Sequence, residues 1–216
     1  MVLTNYILKK EIKRLIRKAS ERPHQYRSLN DIKHVLFICD SKDWNTVRSC
    51  IEKLKAMNKH VNTAIFATSK KDVPTWYSNY LLLRADRDVG WLGFPDKTLQ
   101  KQFYCLPADL LIDFSSSQVS PLYYMFLKHP STFKAGIKYS EDSAYDLAIV
   151  PTNEADEADE AGEGREARES GKANETNDAG IKQTLPYLFN QLVSYLSTVN
   201  SKPEETVETD NYPTQH

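Results

Sequence analysis

Glycine is scarce in this chain, with 7 residues among 216. Loops that cradle phosphate need glycine where the backbone approaches the ligand closely, so this scarcity argues against one. The strings GxGxxG, GxxxxGK[ST], GxSxG and HExxH are all absent. With them go the dinucleotide fingerprint, the P-loop, the nucleophile elbow and the zincin helix. Cysteine is sparse too. Cys39, Cys50 and Cys105 are far apart, with no CxxC and no histidine partner. They read as reduced, mostly buried thiols of a cytoplasmic protein, and no metal site is expected. No run of about eighteen apolar residues is present, which leaves no membrane-spanning helix. The N-terminus lacks the apolar core and small-residue cleavage site of a secretory signal. His24, His34, His60, His129 and His216 have no context that would pair them with a serine or cysteine.

What is present is a globular composition, 40% hydrophobic and 11% aromatic, with charge strongly segregated along the chain. Residues 1–34 carry nine Lys/Arg against three acids, a net of +6, while residues 151–180 carry ten acids against three Lys/Arg, a net of −7. Such polarity between segments says more about partners than the total of −1.

Residues 4–19 have helical spacing, with Ile7, Leu8, Ile12, Leu15, Ile16 and Ala19 on one stripe. Lys9, Lys10, Lys13, Arg14, Arg17 and Lys18 crowd the remainder, with Glu11 the only acid among them. A helix of this kind packs its stripe on a domain, or it lies on an anionic membrane or a nucleic-acid backbone. Its apolar face has no tryptophan or phenylalanine, which favours packing on the core with the cations left for a partner.

The domain proper opens at His34–Cys39, an apolar strand ending in Asp40 and Ser41, and a helix follows from about Asp43. Val61 to Ala67 is the next strand. Strand, helix, strand is a βαβ unit, which is parallel and right-handed. Residues 80–84 suit a third strand. The loop 86–95, DRDVGWLGFP, holds Val89, Trp91, Leu92 and Phe94, more apolar surface than a solvated loop carries, so it is expected to anchor in the core or to meet a partner, anchoring being favoured. Asp96 is placed to cap a short helix.

The uninterrupted apolar run of Asp109 to Phe114 reads as a central strand buried on both faces. Ser120-Pro121 starts a helix, and residues 133–137 and 145–150 form two further strands. The connection between them is too short for a helical crossover, which leaves their relative direction open. The stretch from Glu154, EADEADEAGEGREARES, lacks the apolar residues to offset its ordering entropy and is expected to be disordered. Ile181, Leu185, Leu188, Leu192, Tyr195 and Val199 then recur at helical spacing. The helix is expected to start near Thr184, since Pro186 is tolerated in a first turn. Its spacing also suits a coiled-coil seam, but with under three heptads core packing is the expectation.

These elements imply a three-layer, Rossmann-like α/β domain with a mainly parallel sheet. Its parts would be a basic helix and linker (1–29), the α/β domain (30–150), a disordered acidic insert (151–180), a C-terminal helix on the domain (181–200) and a polar tail (201–216). In such sheets ligands gather outside the strand carboxyl ends. Asp40, Ser41, Asp113, Ser115 and Ser116 would meet there, as binding groups or simply as caps and turn formers.

The strings DLLIDFSSS, FKAGIKYS and YDLAIV resemble an uncharacterised bacterial family of unknown function. The resemblance extends to the basic first helix and to Trp91-Leu92-Gly93, and it implies an architecture but no activity. A weaker similarity is to the N-terminal half of lipopolysaccharide heptosyltransferases, through Leu111-Ile112-Asp113-Phe114 and Lys134-Ala135-Gly136-Ile137. It implies a minimal sugar- or nucleotide-binding domain, half of a GT-B glycosyltransferase.

The functional expectation is a non-catalytic interaction or adaptor module with no cofactor, the sugar- or nucleotide-binding domain being the alternative. Its interaction surface would comprise Lys9, Lys10, Lys13, Arg14, Arg17 and Trp91. The partner would be a protein, or an anionic membrane or nucleic acid met by the basic helix. The expected location is the cytoplasm, including the periphery of the inner membrane.

Overall fold

A computed structural model describes residues 2–73, 80–115, 120–137, 144–150 and 176–198, with side chains from Tyr6 onward and, in the last helix, from Leu185. Ser116, residues 151–175 of the acidic insert and the tail beyond residue 200 lie outside the described residues.

Among the described residues six strands form one sheet: β1 (His34–Asp40), β2 (His60–Ala67), β3 (Leu81–Arg84), β4 (Leu110–Asp113), β5 (Lys134–Ile137) and β6 (Leu147–Ile149). Their order is β3-β2-β1-β4-β5-β6, and every neighbouring pair is parallel. The pair left open by the sequence, β5 and β6, is therefore parallel, though its connection is too short for a helix.

The helices lie on both faces. α2 (Trp44–Ala56) and α5 (Thr176–Thr198) cover one face, where Val47, Ile51, Leu188 and Leu192 meet Val35, Phe37, Leu110 and Ile112. α1 (Val2–Arg17), α3 (Lys97–Tyr104) and α4 (Pro121–Lys128) cover the other, where Leu8, Ile12, Phe103 and Phe126 meet Leu36, Ile38, Leu83 and Leu111. Successive side chains of a strand point to opposite faces, so a strand covered on both reads as a continuous apolar run. The result is the three-layer α/β architecture expected.

Local signals set several boundaries. Asp96 accepts from the backbone N–H groups of Thr98 and Leu99 and starts α3. Ser120 accepts from Tyr123 N, and Pro121 follows at the first position of α4. α5 begins at Thr176, eight residues before the expected start, and Pro186 lies inside it. Leu185, Leu188, Phe189, Leu192 and Leu196 bury its inner face, whereas Tyr195, expected on that face, is exposed. α1 packs its stripe on the domain as expected, with Leu8 and Ile12 buried and Leu15 and Ile16 partly so. No described helix is long and apolar enough to cross a membrane.

Candidate functional site

Two places merit attention, the carboxyl ends of β1 and β4 and the outer face of α1. The strand order reverses direction between β1 and β4, the switch point where open α/β sheets leave a crevice. Ile38 is in register with Asp113. Asp40, two residues further along β1, therefore shares a sheet face with Asp113, and Ser41 opens the short turn of helix Ser41–Asp43 beyond it.

Asp113 is 1% exposed, and its carboxylate is fully engaged. Oδ1 accepts from Ser115 N at 2.8 Å and from Ser115 Oγ at 2.5 Å, while Oδ2 accepts from Tyr145 Oη at 2.7 Å. Burial pushes its pKa up to about 6 against the pull of these three donors, and the Asp40 carboxylate pushes the same way. Ser115 and Asp40 are buried as well. Burial, and then the charges of Asp40, Asp43 and Asp113, raise the Cys39 thiol well above its usual range, which keeps it protonated and inert. No group of three or more His, Cys, Asp or Glu among the described residues could hold a metal ion.

Tyr145 reaches Asp113 by crossing Gly136, which is in register with Asp113 on the neighbouring strand. A Cβ at Gly136 would stand 2.6 Å from Tyr145 Cε1 and 2.8 Å from the Asp113 carbonyl oxygen. The glycine of the KAGI strand is thus the gap through which the tyrosine passes. Tyr123, fully buried beneath, sets its ring edge-on to Tyr145 with centroids 6.3 Å apart. The cluster of Asp113, Ser115, Tyr145 and Gly136 is a closed, satisfied polar lock joining β4, β5 and the start of β6. A carboxylate with three protein donors and 1% exposure has little surface left for a ligand.

Lys134, His129 and Asp146 are likewise engaged. Lys134 Nζ donates to the carbonyls of Phe126 and Leu127 at 2.9 and 3.0 Å, capping the last turn of α4. Burial, with help from the Arg22 charge, lowers its pKa to about 7, and Asp146 opposes the shift. His129 lies between Leu106 O and the backbone N–H of Ser131. Burial, then the Lys134 charge, lowers its pKa to about 4, so the ring is neutral. Asp146 receives Arg22 Nη2 at 2.6 Å, Lys134 N at 2.7 Å and His24 Nδ1, which ties the linker after α1 to the sheet.

The second place is open. A groove of about 670 Å³ runs between α1 and the loop before α3, walled by Tyr6, Ile7 and Phe94 and by the cations of α1. Lys9, Lys10, Lys13, Arg14 and Arg17 all line it. Arg14 forms a two-pronged pair with Glu11, at 2.8 and 2.5 Å, and its hydrogen bond lowers the Glu11 pKa. Lys9, Lys10, Lys13 and Arg17 have no acidic partner among the described residues. The groove's aromatic wall is fixed from behind, because Phe94 packs edge-on to Tyr124 of α4 at 5.1 Å.

Trp91 belongs to the same loop. Gly93 N donates to Gly90 O and Gly90 N to Phe94 O, both at 2.9 Å, with Val89 and Pro95 bridged in antiparallel fashion below. Gly93 takes φ 84°, the left-handed region that glycine adopts without strain. The turn leaves Trp91 81% exposed. The loop divides between its two expected uses: Val89 and Phe94 pack on the core, and Trp91 stands free of it. The turn must place one of its residues at the tip, and the two glycines put Trp91 there.

The candidate residues thus divide. Asp40, Asp113 and Ser115 converge at the strand ends in a closed arrangement, with half-buried Ser41 beside Asp40. Lys9, Lys10, Lys13, Arg14 and Arg17 line one open groove, and Trp91 shares the turn with its Phe94. Tyr145 and Tyr6 carry no signal of a site in the sequence, and Gly136 enters there only within the Lys134–Ile137 resemblance. The glycine within an apolar strand was the available signal, since such a residue marks a close approach.

The chain belongs to a family of unknown function, DUF6913, whose model matches residues 5–159. No curated protein matches it. No solved structure matches either.

Proposed function

We propose that this family member is a non-catalytic interaction module that holds an anionic partner in the groove between α1 and Phe94. One observation carries the reading: four cations without a described acidic partner line a concavity, beside the Glu11–Arg14 pair and Tyr6 of the same helix, and Phe94 walls it from the facing loop. Exposed lysines usually have a solvated role, but here the helix beneath them is buried on the core and so presents them as a fixed array. Charges arranged this way steer an oppositely charged partner and orient it, with an ionic-strength dependence that marks the effect. We place the protein in the cytoplasm, where the free thiols of Cys39, Cys50 and Cys105 stay reduced.

The alternative is a sugar- or nucleotide-binding half-domain, and the strand order with its β1/β4 switch point favours it. Against it stand the engaged oxygens of Asp113 and the burial of Ser115.

A photo-crosslinking amino acid placed at Lys13 of the full chain tests the first reading, with the same group at Lys55 on α2 as the control. Adducts formed in lysate from Lys13, absent from Lys55 and lost at 0.5 M salt, are expected. Equal labelling from both positions would refute a dedicated surface. A nucleotide or nucleotide sugar that raises the melting temperature would move the function to the strand ends, since a ligand at a hundred times its Kd adds about 2.7 kcal/mol.

A further inference from the structure

We infer that the partner is a protein that offers a short acidic segment flanked by apolar side chains, the carboxylates meeting α1 and the apolar residues packing on Trp91 and Phe94. This rests on the interaction reading above and names the partner's chemistry. Trp91 is 81% exposed and Tyr6 is 65% exposed. An exposed tryptophan on a flexible loop would mean little. This one sits on a turn held by two backbone hydrogen bonds and an antiparallel bridge, so little ordering remains to be done when it is covered. Rigid aromatic anchors beside cations are the composition of interface hot spots.

The spacing of the cations sets the size of the acidic segment. Lys9 to Arg17 spans about 12 Å along the helix at 1.5 Å per residue. Side chains on one side of an extended peptide repeat about every 6.6 Å, so two or three carboxylates match the array. The shape argues against a bilayer. The apolar stripe of α1, with Leu8 and Ile12, is already buried in the domain and cannot enter lipid. The pairing within the loop argues against nucleic acid. Arg84 and Arg87 are already tied to Asp86 and Asp88, which leaves neither guanidinium for the phosphates of a strand stacked on Trp91. A protein segment can instead confine its charge to the cationic part and present neutral side chains to Trp91.

The experiment titrates the full chain with four probes: a ten-residue peptide of Asp and Glu ending in Leu-Phe-Leu, the same peptide ending in Ser-Ser-Ser, vesicles containing 30% phosphatidylserine, and a twelve-residue oligothymidylate. Calorimetry supplies affinity, and the melting temperature of each variant controls for folding. The Leu-Phe-Leu peptide is expected to bind best. Its affinity should fall at least tenfold for the Ser-ended form, for Trp91→Ala, and for Lys9→Glu combined with Lys13→Glu. Tighter binding of vesicles or oligothymidylate, abolished by the lysine reversals, would overturn this inference while leaving the groove as the docking surface. Binding of the two peptides alike, or no peptide binding, would also overturn it. Probe binding unaffected by the lysine reversals would refute both the inference and the groove.

Discussion

Gly136→Ala adds one methyl group where the structure has no room for it. The new Cβ would lie 2.6 and 2.9 Å from Cε1 and Cζ of Tyr145 and 2.8 Å from the carbonyl oxygen of Asp113. The carbonyl belongs to β4, whose register with β5 places Asp113 opposite Gly136, so it can retreat only by loosening the ladder. The ring can swing away, but doing so breaks the 2.7 Å bond from Tyr145 Oη to Asp113 Oδ2. It also removes the ring from Phe126, against which it packs edge-on at 5.4 Å. Losing a hydrogen bond to a charged group costs about 1.5–3 kcal/mol. The displaced aromatic contact adds about 0.5–1.5 kcal/mol. Alanine restricts the unfolded chain and offsets about 0.4–1 kcal/mol, because Gly136 does not need a positive φ. The expected net loss is about 1–4 kcal/mol, measured by urea denaturation of the full chain at pH 7. Tyr145→Ala supplies the internal check. In that background the ring is gone, and the same Gly136→Ala change should cost less than half as much, a coupling read from the double-mutant cycle. A loss below about 0.5 kcal/mol for Gly136→Ala alone, or equal losses in both backgrounds, would refute the idea that this glycine exists to let the tyrosine through.

Two further outcomes bear on the helix and the lock. Ile12 is 2% exposed, so Ile12→Asp buries an unpaired carboxylate and should cost at least about 3 kcal/mol and lower the melting temperature by more than about 5 °C. A variant that melts like the parent would detach α1 from the core and reopen the membrane reading of its stripe. Asp113 has a pKa raised from 3.8 to about 6, so the folded state holds its proton to higher pH than the unfolded chain does. Its stabilising contribution is complete below about pH 4 and is lost as pH rises through about 6. Asp113→Asn keeps the neutral form at every pH. The stability of the variant minus that of the parent should therefore rise from about pH 4 to 7, with the opposing contribution of neutral His129 cancelling in the difference. A difference that stays flat across this range would contradict the raised pKa.

The sequence by itself determined the elements. β1 and β4 were legible as uninterrupted apolar runs, and such runs arise because helices cover both faces of the sheet. The starts of α3 and α4 were legible in Asp96 and in Ser120-Pro121, because a cap acts on donors two or three residues away. The amphipathic period of α1 announced that one face would be buried. It did not say against what, since the same stripe satisfies a core or a lipid surface. Only the tertiary structure decided that, by setting Leu8 and Ile12 on the α4 side of the sheet. It also decided the direction of β5 and β6, the engagement of Asp113 by a tyrosine 32 residues further along, and the exposure of Trp91. Each of these depends on which residues come together across long stretches of chain. Period, propensity and capping act within a turn or two, and long-range contacts are fixed when the sheet assembles and its layers close.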